Sequence, residues 1–465
     1  MRMVRSVLLR AAIVVGVLSA TALADFPNDF RVAAGFGDRA GEQVRITYTT
    51  DSSSAHNAAF EAQFPYNEDF KYRWRNLRAH SGLYNVSQGI ATEFNFAGSA
   101  PFNVTIPRLG DGVRGVMTAD ICFSSGIATC EVGAHDEIFS HLPVLLNSIL
   151  SHPGMHFWSL IGDNFYDGDG SLSRLFWSTL STAAKSKIFL SAPGNWDFWS
   201  TGDPADVTSS TVPDNQFGNG YMQYYGMDTA SSTAGGNPWN FSVDPDAVSL
   251  DRDFGAQHHH DGHQPNQKYL PDASNFQYFT QIGNIGVIGY SGAAHHHDIE
   301  PFFQTACAWM NRGDRASTVD WILVMGHWAR DTKGASDKTM TPAMYQAAIA
   351  DYGCPAHKTH HFEGHTHCNM VVDGGFIVGA FGKTNTDCSQ FGIPYLDSTG
   401  GRLQVVYFPI SKQMVPTAAD TPEQIATELK GAHERYALLS ECVAVNAISE
   451  CLFLEHDVWL NVSKR

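Results

Sequence analysis

Five apolar runs in this chain each finish on a side chain that ligates metals. They are Asp120 after GVMTA, Asp163 after WSLIG, Asn195 after SAPG, His327 after LVMG, and His365 with His367 after EG; glycine precedes the polar residue in four of the five. Between them lie segments of helical periodicity, EIFSHLPVLLNSIL, SLSRLFWSTLSTAAK, QTACAWMNR and TPAMYQAAIADYG. Strand and helix alternate, so the main domain is α/β. In an open α/β sheet the loops at the carboxyl ends of the strands converge on one crevice where ligands bind. Glycines at those ends permit sharp turns and close backbone approach. Two aspartates, an asparagine, three histidines and Tyr166 make a donor inventory for two hard-to-borderline metal ions, with Asp163 the natural bridge because one carboxylate can offer an oxygen to each.

Taken singly, these signals have plainer readings. Gly-Asp and Gly-Asn are ordinary turn dipeptides. A lone His327 fits a hydrogen-bonded structural role, and GHTH alone fits the polar face of an extended segment. The ordered recurrence selects the metal reading.

The first 24 residues hold three arginines, the apolar run AAIVVGVL and Ala22-Leu23-Ala24. This is the pattern of a signal peptide cleaved after Ala24, with a membrane anchor disfavoured by the shortness of the run. The protein is thus expected to be secreted or lumenal, without a membrane anchor. Its formal charge, −17 for the whole chain, becomes more negative once those arginines are removed. That acidity argues against nucleic acid or an anionic membrane as the main partner, and would repel a phosphorylated substrate unless metal ions offset it. The eight cysteines, Cys122, Cys130, Cys307, Cys354, Cys368, Cys388, Cys442 and Cys451, are expected in disulfides in that compartment. Cys122 with Cys130 and Cys442 with Cys451 are the closest pairs. Sequons at Asn85, Asn103, Asn240 and Asn461 fit a secreted glycoprotein.

Four divisions follow: the signal peptide (1–24), a small β-rich domain (25–112), the α/β domain (113–420) and a C-terminal helical extension (421–465). Short alternating runs such as EQVRITYTT and PFNVTIPRL mark the β-rich part. A Gly, Ser, Asn and His-rich stretch at about 201–275 reads as an insertion, either a lid or a loop. The extension opens on a Thr-x-x-Gln capping pattern at Thr421.

The blocks ADIC, GDNFY, GNWD, MGHW and GHTH, in this order and in these strand contexts, resemble the five motif blocks of the calcineurin-like metallophosphoesterases, and among them the purple acid phosphatases. The match spans about residues 113–410. Tyr166 in GDNFY discriminates, because that branch uses the tyrosine to bind ferric iron. The resemblance implies a sandwich of two mixed β-sheets flanked by helices. It implies a ferric site of Asp120, Asp163, Tyr166 and His367, and a divalent site for iron, zinc or manganese of Asp163, Asn195, His327 and His365. It also implies acid phosphatase activity, with attack by metal-held hydroxide on a small phosphate ester or phosphoprotein; a phosphodiesterase or nucleotidase is the near variant.

Two blocks depart from the pattern. Family members carry histidine after the asparagine, and that histidine contacts phosphate and helps protonate the leaving group; here the position is Trp196, followed by Asp197. The first block lacks the usual glycine before Asp120. Trp196 keeps open a second reading, a metal-binding pseudoenzyme. Asp163, Asn195, Trp196, Asp197 and His297 are the candidate catalytic residues, His297 because HHHD (295–298) follows the strand GNIGVIGYSG and could supply the missing acid, although a solvated loop is the simpler reading. QHHHDGH (257–263) is read as a loop, and His360 and His361 as core residues or supports to the ligands.

Overall fold

A computed structural model describes residues 29–52, 57–70, 77–122, 136–164, 166, 171–197, 219–233, 236–239, 273–292, 296–327, 342–381, 390–411 and 420–464. The expected signal peptide, the histidines at 258–260 and 263, and His295 lie outside the described residues.

The N-terminal region contributes β1 (Phe30–Ala34), β2 (Gln43–Asp51), β3 (Tyr66–Asp69), β4 (Leu77–Asn85), β5 (Thr92–Phe94) and β6 (Phe102–Val104). Then follow β7 (Arg114–Thr118), β8 (Phe157–Ile161), β9 (Ile188–Ala192), β10 (Tyr278–Ile282), β11 (Ile285–Gly289), β12 (Trp321–Gly326), β13 (Thr359–Glu363), β14 (Asn369–Val372) and β15 (Gly375–Val378). The last three strands are β16 (Phe391–Asp397), β17 (Arg402–Ser411) and β18 (Asp457–Ser463). Among the described residues, the helices of seven or more residues are α1 (Asp136–Ser151), α2 (Ser171–Thr179), α3 (Asn219–Tyr225), α4 (His296–Met310), α5 (Pro342–Asp351) and α6 (Pro422–Val445).

Two large mixed sheets result. One has ten strands in the order β18-β17-β16-β7-β8-β9-β1-β2-β4-β3, the other six in the order β10-β11-β12-β13-β15-β14. Within them β7, β8 and β9 run parallel, as do β11, β12 and β13. Parallel neighbours need crossover connections, and α1, α2, α4 and α5 lie in those connections. This is the helix and strand alternation of the sequence, and the architecture is the two-sheet sandwich flanked by helices that the motifs imply.

Side chains alternate between the faces of β12. Leu323 and Met325 pack in the main core with residues of β7–β9, while Ile322 and Val324 pack in a second core with Ile299 and Phe303 of α4 and Tyr345 of α5. The second sheet is covered on both sides, which explains its unbroken apolar runs.

The β-rich segment before residue 113 extends the larger sheet: β1 lies parallel to β9 at Val32 opposite Ile188 and pairs antiparallel with β2. Within the 201–275 stretch, α3 and the residues that follow it pack into the core. Tyr221, Met222, Tyr224 and Tyr225 of α3 are buried. Asp228 is buried too, paired with Arg45 at 2.8 Å and Arg39 at 2.8 Å, and it accepts a hydrogen bond from Phe36 N at 2.6 Å. Burial opposes that charge, but the two arginines win and hold the Asp228 carboxyl below the usual carboxylate range. Removing one partner of such a pair costs about 3–5 kcal/mol, so this cluster fixes the segment to β2.

After residue 420 the chain is helix and then strand. Thr421 Oγ1 accepts from Gln424 N, and Gln424 Oε1 accepts from Thr421 N, forming the expected capping box of α6. β18 then pairs with β17 at the sheet edge. Cys442–Cys451 is a disulfide as expected, and Cys307 is joined to Cys354, a pairing that spacing does not reveal. Cys122 and Cys368 are also disulfide-bonded; residues 130 and 388 lie outside the described residues. Among the described residues no helix is long and apolar enough to cross a membrane.

Burial, reinforced by the charges of Lys187 and Arg114, lowers the His156 pKa to about 4 from an ordinary 6.5. The unfolded chain therefore binds a proton there before the folded one does. The contribution of His156 to stability is fully present above about pH 6.5 and is lost as the pH falls toward about 4. His156→Gln is expected to flatten the slope of unfolding free energy against pH in that window, measured by urea denaturation.

Candidate metal centre

Asp120 lies two residues beyond β7, Asp163 two beyond β8, His327 directly after β12, and His365 two beyond β13. These strand ends belong to two different sheets, so the site sits where the carboxyl ends of both meet.

The backbone there is unusual. Among the described residues, φ is positive at five non-glycine positions: Asp120 (53°), Asp163 (51°), Tyr166 (51°), His365 (82°) and His367 (56°). All five belong to the ligand set read from the sequence. A left-handed residue of this kind costs about 1–3 kcal/mol and persists only where its surroundings enforce it. Here they do: Asp120 N donates to Gly162 O at 3.1 Å, and His365 N donates to Asp120 Oδ2 at 2.8 Å.

Glycines make the approach possible. A Cβ on Gly162 would run into the His327 ring, one on Gly194 into Asp163, and one on Gly364 into His327 Nδ1 and Ile161 O.

The polar atoms converge in two overlapping groups. Asp163, His327 and His365 offer ligand atoms within 4.8 Å of one another, and so do Asp120, Asp163 and His367, with Asp163 common to both. Tyr166 Oη donates to Asp120 Oδ1 at 3.0 Å and lies 3.1 Å from His367 Nε2. His327 Nδ1 is 3.0 Å from Ile161 O, so that nitrogen carries a proton and Nε2 faces Asp163 Oδ1 at 3.4 Å. This is the orientation a metal-binding imidazole needs.

Oxygen and imidazole donors suit iron, zinc or manganese, and the electrostatics fit a cation. Burial is the largest influence on Asp120 and, reinforced by Asp163 against the charge of His327, pushes its pKa up to about 8. Burial would raise Asp163 as well, but the charge and hydrogen bond of His327 hold it below the ordinary carboxylate range. His327, which burial alone would discharge, is drawn up to about 10 by Asp163 and Asp120. Two buried carboxyl groups beside imidazoles are a setting that bound cations would neutralise.

Trp196 is half-buried. Its backbone N donates to Asp163 Oδ1 at 2.9 Å, and its indole stands edge-on to the Tyr166 ring with centroids 5.2 Å apart. Asp197 is buried and holds two loops together: it accepts from Gly194 N at 2.6 Å, Asn164 N at 3.2 Å and Asn164 Nδ2 at 3.1 Å. Asn195 opens the short 3-10 turn Asn195–Asp197, and His297 lies in the first turn of α4; the side chains of both are outside the described residues.

Strand order and the convergence of the motif residues agree with the arrangement that the resemblance to calcineurin-like metallophosphoesterases implies: two mixed sheets with the candidate ligands at their strand ends.

No protein-family profile and no curated protein sequence matches the chain. Among solved structures it is similar to purple acid phosphatase PPD1 from yellow lupin (Lupinus luteus) seeds, at 14% identity and a TM-score of 0.49, over 84% of this chain and 73% of that one. It is also similar to calcineurin-like phosphoesterase YfkN from Bacillus subtilis, at 10% identity and a TM-score of 0.29, over 72% of this chain and 99% of that one. A single mutant of Vps29 from Entamoeba histolytica aligns at 11% identity and a TM-score of 0.26, over 65% of this chain and 96% of that one.

Sequence reasoning missed Asn164, whose side chain completes the Asp197 clamp, and Gly379. A Cβ on Gly379 would lie 2.6 Å from Asp120 Oδ2 and 3.1 Å from His367 N. The signal was present in GFIVGAFG, where the same pattern of a glycine after an apolar run recurs without a ligand type following. Gly379→Ala is expected to reduce bound metal by at least half while the far-ultraviolet circular dichroism stays unchanged; metal analysis of the purified variant checks this.

Proposed function

We propose that this chain is a secreted, dinuclear metal-dependent phosphatase that hydrolyses phosphate monoesters at a rate limited by Trp196. The single observation that carries the proposal is the pair of three-residue groups sharing Asp163. In this reading Asp120, Asp163, Tyr166 and His367 hold iron(III), and Asp163, Asn195, His327 and His365 hold a divalent iron, zinc or manganese ion. Tyr166 supports the assignment by position: its hydroxyl lies 3.0 Å from Asp120 Oδ1 and 3.1 Å from His367 Nε2. The buried disulfides Cys307–Cys354 and Cys442–Cys451 support an oxidising compartment.

When bound, two such cations supply charge stabilisation at phosphorus and acidify water. The chain's own residues do the rest. Asp163 offers its carboxylate to both groups while the Trp196 amide fixes Oδ1. Ile161 O orients His327 so that Nε2 points inward. Asp197 ties the loop after β8 to the loop after β9 and so sets the spacing of their ligands. The Trp196 indole can donate a hydrogen bond to a phosphate oxygen, but it has no proton to give a leaving alkoxide. General acid help is worth about 100-fold to 10,000-fold, so turnover is slow and esters with good leaving groups are favoured.

The same indole favours a second reading, a pseudoenzyme that keeps the metal cage without turnover. The test is to express the protein with iron and zinc and measure metal content, visible tyrosinate absorption and p-nitrophenyl phosphate hydrolysis across pH. The phosphatase reading expects two metals per chain, colour and weak hydrolysis, with Trp196→His raising the rate about 10-fold or more at constant metal content. Two metals and no turnover in either protein would leave the pseudoenzyme; absence of bound metal would sink both readings.

A further inference from the structure

Behind the candidate centre, in the second core, three polar side chains meet that the proposed chemistry does not use. Tyr290 Oη donates to Glu363 Oε1 at 2.6 Å and lies 3.0 Å from His361 Nε2, which is itself 3.0 Å from the same carboxylate oxygen. Tyr290 and Glu363 are 0% exposed and His361 1%. Burying a carboxyl group and an imidazole among Ile299, Phe303 and Tyr345 is costly, and apolar residues of similar volume would fill the space more cheaply. Burial lowers the His361 pKa to about 3, so the ring is neutral and the cluster is joined by hydrogen bonds.

The geometry of Tyr290 indicates what the cluster does. The residue follows β11, whereas Glu363 and His361 belong to β13, and β12 lies between those strands. The tyrosine must therefore cross β12, and it does so at Gly326, where a Cβ would overlap the phenol ring. The glycine of MGHW is thus small for the aromatic ring behind the sheet, unlike Gly162, Gly194 and Gly364, which make room for the ligands. Gly326 stands opposite Glu363 in the β12–β13 register. Tyr290 N donates to Met325 O at 3.1 Å, and Gly364 N to Gly326 O at 3.4 Å. One side chain spans three strand ends, and the next residues along two of those strands carry His327 and His365, whose rings are 5.1 Å apart between centroids.

We infer that Tyr290 is a positioning residue for the metal centre: its hydroxyl, reaching across Gly326 to Glu363 and His361, sets the separation of His327 from His365. The role in metal binding rests on the dinuclear reading above; the clamp on the strand ends does not.

Two variants separate hydroxyl from charge. Tyr290→Phe keeps the ring and its packing on Gly326 but removes the bridge. Glu363→Gln keeps an acceptor oxygen for the hydroxyl. Zinc titrated into the iron-loaded protein is expected to bind Tyr290→Phe about 10–100-fold more weakly than wild type, while the visible absorption from Tyr166 persists. Glu363→Gln, which keeps the acceptor oxygen, should weaken zinc binding less than Tyr290→Phe does. In metal-free protein, amide hydrogen exchange should quicken in Tyr290→Phe at residues 321–327 and 359–367 and nowhere else. Unchanged zinc affinity and exchange in Tyr290→Phe would overturn the inference, as would equal loss of zinc in Glu363→Gln, or exchange quickened throughout the chain together with loss of both metals. If the wild-type protein binds no metal, the phosphatase reading fails and exchange alone decides: local quickening supports the clamp, and its absence overturns it.

Discussion

Asp120 and Asp163 are both fully buried at the ends of adjacent parallel strands, and folding alone gains nothing from placing two carboxyl groups there. Their cost organises what surrounds them. Asp163 and Asp120 raise the His327 pKa against its burial, Trp196 and His365 turn backbone amides toward the two carboxylates, and Tyr166 lends its hydroxyl to Asp120. The left-handed backbone at Asp120, Asp163, Tyr166, His365 and His367 is a second cost at the same place. An interior built for stability alone would contain neither, and this coincidence of buried charge with enforced conformation gives the metal reading its physical weight.

Much of this was legible in the sequence because each strand announces its end. In KIFLSAPGN or WSLIGD a buried strand must be apolar, a turn must follow, and a polar residue after the turn is conspicuous. The Thr421 capping box and the Cys442–Cys451 bridge were legible for the same reason, since each is decided within a few residues. Long-range partnerships were not. Asp228 meets Arg45 across 183 positions, and nothing local distinguishes it from the other acids of a stretch that reads as loop. Gly379 and Tyr290 look like ordinary strand-end residues until another chain segment is laid against them. The meeting of two sheets at the centre is likewise a property of topology, which strand-end motifs alone do not specify.

The larger sheet ties the N-terminal strands to the centre more closely than the change in sequence texture suggests. β1 lies beside β9, the strand that leads to Asn195, and β2 carries the Arg45 that secures the segment around Asp228. The buried Arg45–Asp228 pair is thus anchored two strands away from β9 in the same sheet.

The hydrogen bond that fixes Asp163 comes from the main chain of residue 196, and every amino acid but proline can supply it. The architecture of the cage is thereby insulated from the identity of the side chain at that position. On the proposed reading, metal retention and proton donation are separable traits: substitution at residue 196 changes the side chain there and leaves the candidate ligands, their glycines and their left-handed turns in place.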